Sequence, residues 1–427
     1  MNFKDLIENK TVKIVTLIFT ILVSLSLIIT NNKVILTAKS DNADGFFQAF
    51  QSFHNLGWYD GCAAGYGLLY NCFLSFLFNL TNSLENSFFL VNLFSQILIF
   101  CILIKTLLHY KNKVDKFYFY AISILTITQI INLKCYSSAY NDSFLAIFIA
   151  AIINVISTKL IEDFLNKRNF VYLGILLALA LSVRESTLTI IIATFLVIIS
   201  LKYTEKIAWK IVLKNILYLI IPFLLITVVL HFPSLKENQK LCFYDKNPKT
   251  GANWTQRNYL GLKKIQNKEL PMHRDAIWRE TKFHVVNDYL AVNGNTSLPR
   301  NIVQVLMKDP ILLSEIFTYN FIYLILFSVR FYGLLFLFLA YLFLRKPVIN
   351  KNNIMLFFAL FVYTFWSLAC FTFVETRWLT GYEFMIPAVF FGIISHKNIN
   401  FSKTKINLIV IVSLILVSLF NIKSMLS

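Results

Sequence analysis

The segment Ser40-Asp41-Asn42-Ala43-Asp44-Gly45-Phe46-Phe47-Gln48 places two carboxylates a few residues beyond an apolar run and directly before an aromatic pair. Acids are scarce in this chain, with 22 Asp and Glu against 40 Lys and Arg. A charged group at a membrane edge is costly and tends to face a cavity or a partner. Other short segments repeat the pattern. Asp60 follows in the same stretch, Tyr140-Asn141-Asp142-Ser143 supplies a further acid, and Ser182-Val183-Arg184-Glu185-Ser186 supplies an arginine and an acid. Glu375-Thr376-Arg377-Trp378 does the same near the end. A carboxylate can take a proton from an attacking hydroxyl or amine. An arginine fork can neutralise charge on a leaving phosphate. Carboxylates and arginines gathered on one side suit a site that activates a nucleophile and holds a phosphate. Each residue also has a plainer role. Asp41 or Asp44 could cap an interfacial helix, and Asp142 could cap a span. Arg184 and Glu185 could pair locally in a tight turn, and Arg377 could snorkel to headgroups. The weight lies in four segments of one kind on one surface.

The elements that would position these residues are transmembrane helices. The chain of 427 residues is 57% hydrophobic and 15% charged, with a mean hydropathy of +0.65. Soluble domains are nearer 25% charged. A span needs about 20 mostly apolar residues. Candidate spans are 14–30, 88–108, 117–134, 143–160, 169–183, 186–202, 211–231, 326–344, 353–371, 383–396 and 406–423. With the N-terminus inside, the inner loops hold 20 of the 40 Lys and Arg, and the short outer loops hold only Lys33, Lys39, Lys134, Arg184 and Arg377. This positive-inside asymmetry sets the orientation and puts the acidic and arginine segments outside. It also accounts for most of the net charge of +18, so the charge is not read as a nucleic-acid signal. The run 14–30 has no small-residue cleavage site and reads as a retained anchor.

Two outer regions are longer than simple connections. Residues 31–87 contain helix-like amphipathic runs at 45–56 and 66–80, with Phe46, Phe47, Phe50 and Phe53 recurring on one face. That face suits a helix lying in the interface or one packed against the bundle. Residues 232–325 form the one sizeable polar stretch. The expected architecture is an all-α polytopic membrane protein of about eleven transmembrane helices, with outer juxtamembrane helices and a small extracytoplasmic segment. Its parts are 1–231, a transmembrane catalytic module that includes the outer loop 31–87; 232–325, the extracytoplasmic segment; and 326–427, the C-terminal transmembrane helices. The six cysteines form no CxxC and no zinc spacing, and the sequence does not indicate a disulfide. His54, His231, His273 and His284 show no metal-ligand spacing, and no metal site is assigned. There is no Walker A loop, no GxGxxG and no GxSxG. Sequons such as Asn253-Trp254-Thr255 are expected by chance in an Asn-rich chain.

The order and sidedness of these motifs resemble the GT-C superfamily of membrane glycosyltransferases. The nearest likeness is the branch of protein O-mannosyltransferases and lipid A aminoarabinose transferases. Asp44-Gly45-Phe46-Phe47 followed by Gly57-Trp58 resembles that family's acidic motif after the first span. Gly65-Tyr66-Gly67-Leu68-Leu69-Tyr70 resembles the opening of its juxtamembrane helix. Asp142 resembles its second outer acid, and Arg184 the basic residue after its short fifth span. Glu375, Arg377, Trp378 and Pro387 resemble its late motif. Two departures stand out. The family often has adjacent acids where this chain has Asp41 and Asp44 separated, and here Leu379-Thr380-Gly381-Tyr382 intervene before the proline. Segment 232–325 matches no signature of the family. The resemblance covers roughly residues 10–230 and 326–396.

The resemblance implies an inverting transferase in a bacterial cytoplasmic membrane, acting at the extracytoplasmic side in cell-envelope or protein glycosylation. Its donor would be a polyprenyl-phosphate sugar; its acceptor would be a lipid, glycan or protein. Asp44, or else Asp41, would activate the acceptor, with Asp44 favoured by its spacing to the aromatic pair. Asp142 would support the acceptor or help hold a divalent cation; no other cofactor is implied. Arg184 and Arg377 would hold the lipid phosphate. His54, Tyr59, Asp60, Glu375 and Tyr382 are candidates for the acceptor site or the cavity wall. Two other classes share the polytopic layout. A transporter or flippase of a lipid-linked or anionic substrate should show inverted repeats or matched broken helices, and neither is seen. An O-antigen polymerase or ligase would rest on arginines in large outer loops rather than on the acids after the first span.

Overall fold

The computed structural model describes residues 2–34, 43–132, 141–243, 251–271, 280–345, 353–371, 374, 376–395 and 402–426; for 24–25, 27–34, 43–48, 131–132, 345, 376–377 and 424–426 it describes the backbone only. Every regular element among the described residues is helical. Two compact units separate. One comprises Met1–Phe243, Phe327–Tyr363 and Thr376–Ser427, the other Tyr244–Leu326 and Thr364–Glu375.

In the first unit the elements run α1 (Phe3–Glu8), α2 (Lys10–Val34), α3 (Ala43–Ala63), α4 (Leu68–Thr81), α5 (Leu84–Tyr110), α6 (Lys116–Asn132), α7 (Asp142–Val155), α8 (Lys167–Val183), α9 (Leu188–Thr204) and α10 (Trp209–Asn238). The protein is membrane-embedded. Six helices among the described residues are long and apolar enough to cross a bilayer: Leu84–Tyr110, Asp142–Leu160, Glu185–Thr204, Trp209–Asn238, Pro310–Tyr332 and Lys403–Lys423. Shorter apolar helices cover Leu68–Thr81, Leu334–Leu344, Ile354–Ala369 and Tyr382–Ser395. Helices α6 and α8, with 17 residues each, lie at the lower limit of a span.

The interior of this unit is built by close backbone approach and by polar bonds between helices, as expected where lipid supplies no hydrophobic drive. Gly174 and Ala178 form a small-xxx-small pair on α8. A Cβ on Gly174 would lie 2.2 Å from the Leu219 carbonyl oxygen of α10 and 3.0 Å from Pro222 Cγ. Only hydrogen fits there. Between helices, Asn154 Nδ2 donates to Thr106 Oγ1 at 2.8 Å, and Ser143 Oγ donates to Asn92 Oδ1 at 2.6 Å. Tyr118 donates to Asn407 Oδ1 at 2.7 Å.

The expected single span 326–344 is interrupted. Helix α14 (Pro310–Tyr332) ends and α15 (Leu334–Arg345) begins around Gly333, whose φ is +57°. A Cβ there would lie 2.7 Å from Ser413 Cα on the last helix, Lys403–Leu426. Ser413 Oγ accepts the Leu335 N–H at 2.9 Å, which restores one backbone bond that the break removes. Hydropathy averaged over the run is blind to such a break, because most residues around it are apolar.

The second unit holds α11 (Trp254–Gln266), α12 (Phe283–Asn293), α13 (Ile302–Lys308) and the first part of α14. Its core gathers Tyr259, Leu260, Val286, Leu290, Leu298, Val305, Leu312 and Ile316. Asn253 caps α11 by accepting from Gln256 N, while its Nδ2 donates to the Arg300 carbonyl at 2.8 Å. The sequon at Asn253 is thus occupied by a buried structural side chain. Arg257 is buried between Trp254 and Phe283, with Nε donating to the Thr281 carbonyl at 2.7 Å. That burial pulls its guanidinium down to about 10. Lys263 pairs with Asp309 and holds that carboxyl below the usual carboxylate range.

Gly174→Ala forces α8 and α10 apart and should cost about 1–3 kcal/mol, the usual range for overpacking. Thermal unfolding of the purified protein in detergent should show a clearly lowered midpoint; an unchanged midpoint would contradict the close approach.

Candidate functional site

The N-terminus of α7 and the C-terminus of α8 meet. Asn141 precedes α7, and its Nδ2 donates to the Val183 carbonyl at 3.1 Å. Asp142 is the first residue of α7 rather than its cap, and its side chain is only 1% exposed. Arg184 is the C-cap of α8, in extended conformation with φ −160°. Its Nη1 pairs with Asp142 Oδ1. Neither plain role proposed for these residues holds: Asn141 occupies the cap position of α7, and Arg184 reaches across 42 residues of sequence to Asp142. A guanidinium carries five N–H donors, so one bond to Asp142 leaves capacity for another anion.

The late motif closes on the same place. Gly381 has φ +92°, and a Cβ there would lie 3.0 Å from Ala146 Cα on α7. Both the backbone conformation and the contact require glycine. This contact sets the short helical turns at Thr376–Leu379 and Tyr382–Phe384 against α7. The Trp378 ring lies 5.8 Å from Arg184 Cζ, within cation–π range. Tyr382 is buried. Its hydroxyl donates to the Ser186 carbonyl at 3.2 Å and accepts from Thr189 Oγ1 at 3.2 Å. From the other side, Tyr70 on α4 is buried within the electrostatic reach of Asp142, and its ring packs 5.7 Å from Phe144. Asp142, Arg184, Trp378, Tyr382 and Tyr70 thus form one cluster at one end of the helices.

Helix α3 carries other candidates. Asp44 is its second residue, and its side chain lies outside what is described; Asp41 lies outside the described residues altogether. Gly57, at φ +81°, breaks the helix between the two runs that carry Asp44 and Tyr59. Phe50 and Phe53 are buried, so this part of α3 packs on the protein, while Leu56 and Trp58 are exposed. His54 stacks on Phe50 at 5.6 Å and meets Phe78 edge-on at 5.2 Å. Tyr59 donates to Glu237 Oε1 at 2.8 Å, which holds the phenol above its ordinary value. Asp60 is exposed. His54, Tyr59 and Asp60 therefore face α4 and the end of α10 or solvent, and no contact among the described residues joins them to Asp142 or Arg184. Glu375 lies outside the described residues, and Arg377 is described by backbone alone. No group of three His, Cys, Asp or Glu side chains suited to a metal ion occurs among the described residues.

Sequence reasoning passed over Glu383. It is 3% exposed, and neither carboxylate oxygen has a hydrogen-bond partner of ordinary geometry among the described residues. Burying such a group uncompensated is costly. Its signal was available: it is the one acid in the apolar run Tyr382–Ser395. Trp378 and Tyr70 were visible as members of motifs but had no role assigned.

No protein-family model, curated protein or solved structure matches this chain. The geometry alone therefore bears on function.

Removing Arg184 breaks a buried ion pair, which typically costs about 3–5 kcal/mol. Arg184→Ala should lower the thermal midpoint strongly, and Asp142→Asn combined with Arg184→Gln should recover much of the loss. A double variant no more stable than Arg184→Ala would contradict the pairing.

Proposed function

We propose that the chain is a GT-C-type inverting glycosyltransferase with about eleven spans, which moves a sugar from a polyprenyl-phosphate donor to an acceptor outside a bacterial cytoplasmic membrane. The observation that carries this reading is the Asp142–Arg184 pair at the ends of α7 and α8, flanked by Trp378 and Tyr382. Arg184 is 19% exposed and Asp142 only 1%, so the cation is the reachable member of the pair. A fixed arginine at a membrane edge suits a lipid phosphate. The positive-inside asymmetry supports an outward location for this end.

In this mechanism Asp44, or Asp41, takes the proton of the acceptor hydroxyl or amine. The acceptor atom bonds to the anomeric carbon from the face opposite the phosphate, and the carbon–oxygen bond to the lipid phosphate breaks. Arg184 and Arg377 neutralise the departing polyprenyl phosphate. Asp142 changes role. Buried and engaged by Arg184, it positions that arginine rather than supporting the acceptor or a cation. Tyr382 fixes the wall behind Arg184 through Ser186 and Thr189. Helix α3, with His54, Tyr59 and Asp60, shapes the acceptor entrance.

A transporter or flippase is the second reading, and Glu383 favours it. A buried acid that opens an apolar helix, with no side-chain partner for its carboxylate among the described residues, is a usual mark of a proton or ion path.

The two readings separate in membranes supplied with polyprenyl-phosphate sugars and the native envelope acceptors. Release of polyprenyl phosphate should fall at least 100-fold in Asp44→Asn, the lower range for loss of a general base. Insertion and thermal unfolding should be unchanged. Full activity in both Asp44→Asn and Asp41→Asn would defeat the assignment. Loss of activity in Glu383→Gln alone, with substrate movement across vesicles, would support transport instead.

A further inference from the structure

Two cysteines that play no part in the mechanism above face one another. Cys62 sits in the last turn of α3 and Cys242 just beyond α10; both are fully buried and unbonded. The Cys62 thiol donates to the Leu230 carbonyl at 3.7 Å. The next residue, His231, accepts the Cys242 N–H on Nδ1 at 2.9 Å. In return, the Cys242 thiol donates to the Tyr66 carbonyl at 3.1 Å. Tyr66 belongs to the turn that closes α3, where Gly65 N–H bonds the Cys62 carbonyl at 3.0 Å. Each sulfur thus lies on backbone beside the other's anchor. Asn238 Nδ2 to the Ala63 carbonyl, at 2.8 Å, and Tyr59 to Glu237 fasten the same two segments.

The location suits oxidation rather than metal binding. No metal-ligand group of three occurs among the described residues. Helix α10 has 30 residues, about 45 Å at 1.5 Å per residue, so its end passes beyond a hydrocarbon core of about 30 Å. On the outward placement of that end, the pair lies in an oxidising compartment, where disulfides form and persist.

We infer that Cys62 and Cys242 are a disulfide site that ties the end of α3 to the segment leaving α10. The oxidant is a disulfide donor of the thiol–disulfide oxidoreductase class. The Cys62 thiolate attacks one sulfur of the donor disulfide, which forms a mixed disulfide and releases one donor thiol. The Cys242 thiolate then attacks the Cys62 sulfur, the Cys62–Cys242 bond forms, and the second donor thiol leaves. The donor takes both electrons and, as a dithiol, the two protons. Because both sulfurs are buried in the folded protein, the exchange precedes the docking of α3. The bridge holds α3, and with it the backbone that carries Asp44, against α10. It depends on the outward placement of this end but not on glycosyl transfer.

The test counts thiols in the full-length protein, acid-quenched in its membrane, denatured in SDS and treated with a polyethylene-glycol maleimide. Four of the six cysteines should react before reduction and all six after it. Cys62→Ser and Cys242→Ser should each leave five reactive thiols before reduction. Six reactive thiols in the unreduced parent would overturn the inference, as would only three in either serine variant, which would show a different pair. Placement is read separately. Asn55→Cys, exposed on α3, should take a membrane-impermeant maleimide in right-side-out vesicles above the parent's level. Labelling there together with six free thiols defeats the disulfide alone. Protection there defeats the outward placement as well.

Discussion

A carboxylate that is 1% exposed in an apolar helix bundle is costly to ionise without a cation beside it, and Asp142 has one in Arg184. Much of the first unit is arranged around this requirement. The pair fixes the start of α7 against the end of α8. Asn141 reinforces the junction by donating to Val183. Gly381 then lets the late turn lie on Ala146, below the acid, and brings Trp378 and Tyr382 to the arginine. Truncating one partner would break a buried ion pair, so stability and site geometry are coupled here.

The helices that carry this pair are held together by contacts suited to lipid. Gly174 removes the side chain where α8 meets α10, and buried Asn, Ser, Thr and Tyr side chains bond across helices. Breaks occur where another group compensates. At Gly333 the freed backbone N–H of Leu335 goes to Ser413. Pro222 within α10 lies against Gly174, where the neighbouring helix has no side chain to displace.

The sequence made most of the long apolar helices legible, because such runs have few alternatives to helix in a bilayer, but Pro310–Tyr332 begins inside the expected polar segment 232–325. It also marked Asp142, Arg184 and Tyr382 as belonging to outer segments, and these three now share one cluster. What it did not disclose was pairing. Arg184 sits next to Glu185, and adjacency left a local ion pair open; the extended conformation at Arg184 accompanies its pairing with Asp142. His54 and Tyr59 were candidates for the acceptor site or the cavity wall. Their partners, Phe78 and Glu237, come from α4 and α10. Glu383 was hidden behind the louder Glu375, although an acid opening an apolar run is the costlier placement. The contact between Cys62 and Cys242 spans 180 residues and follows no spacing rule.

The central claim is that Arg184, held by Asp142, receives the phosphate of a lipid-linked donor in a cavity shared with Asp44. The most direct measurement is a high-resolution structure of the protein in a lipid nanodisc with polyprenyl phosphate. The account predicts a phosphate within hydrogen-bond distance of the Arg184 guanidinium and the Asp44 carboxylate on the wall of the same cavity. A phosphate bound elsewhere, with Arg184 sealed from it, would contradict the account.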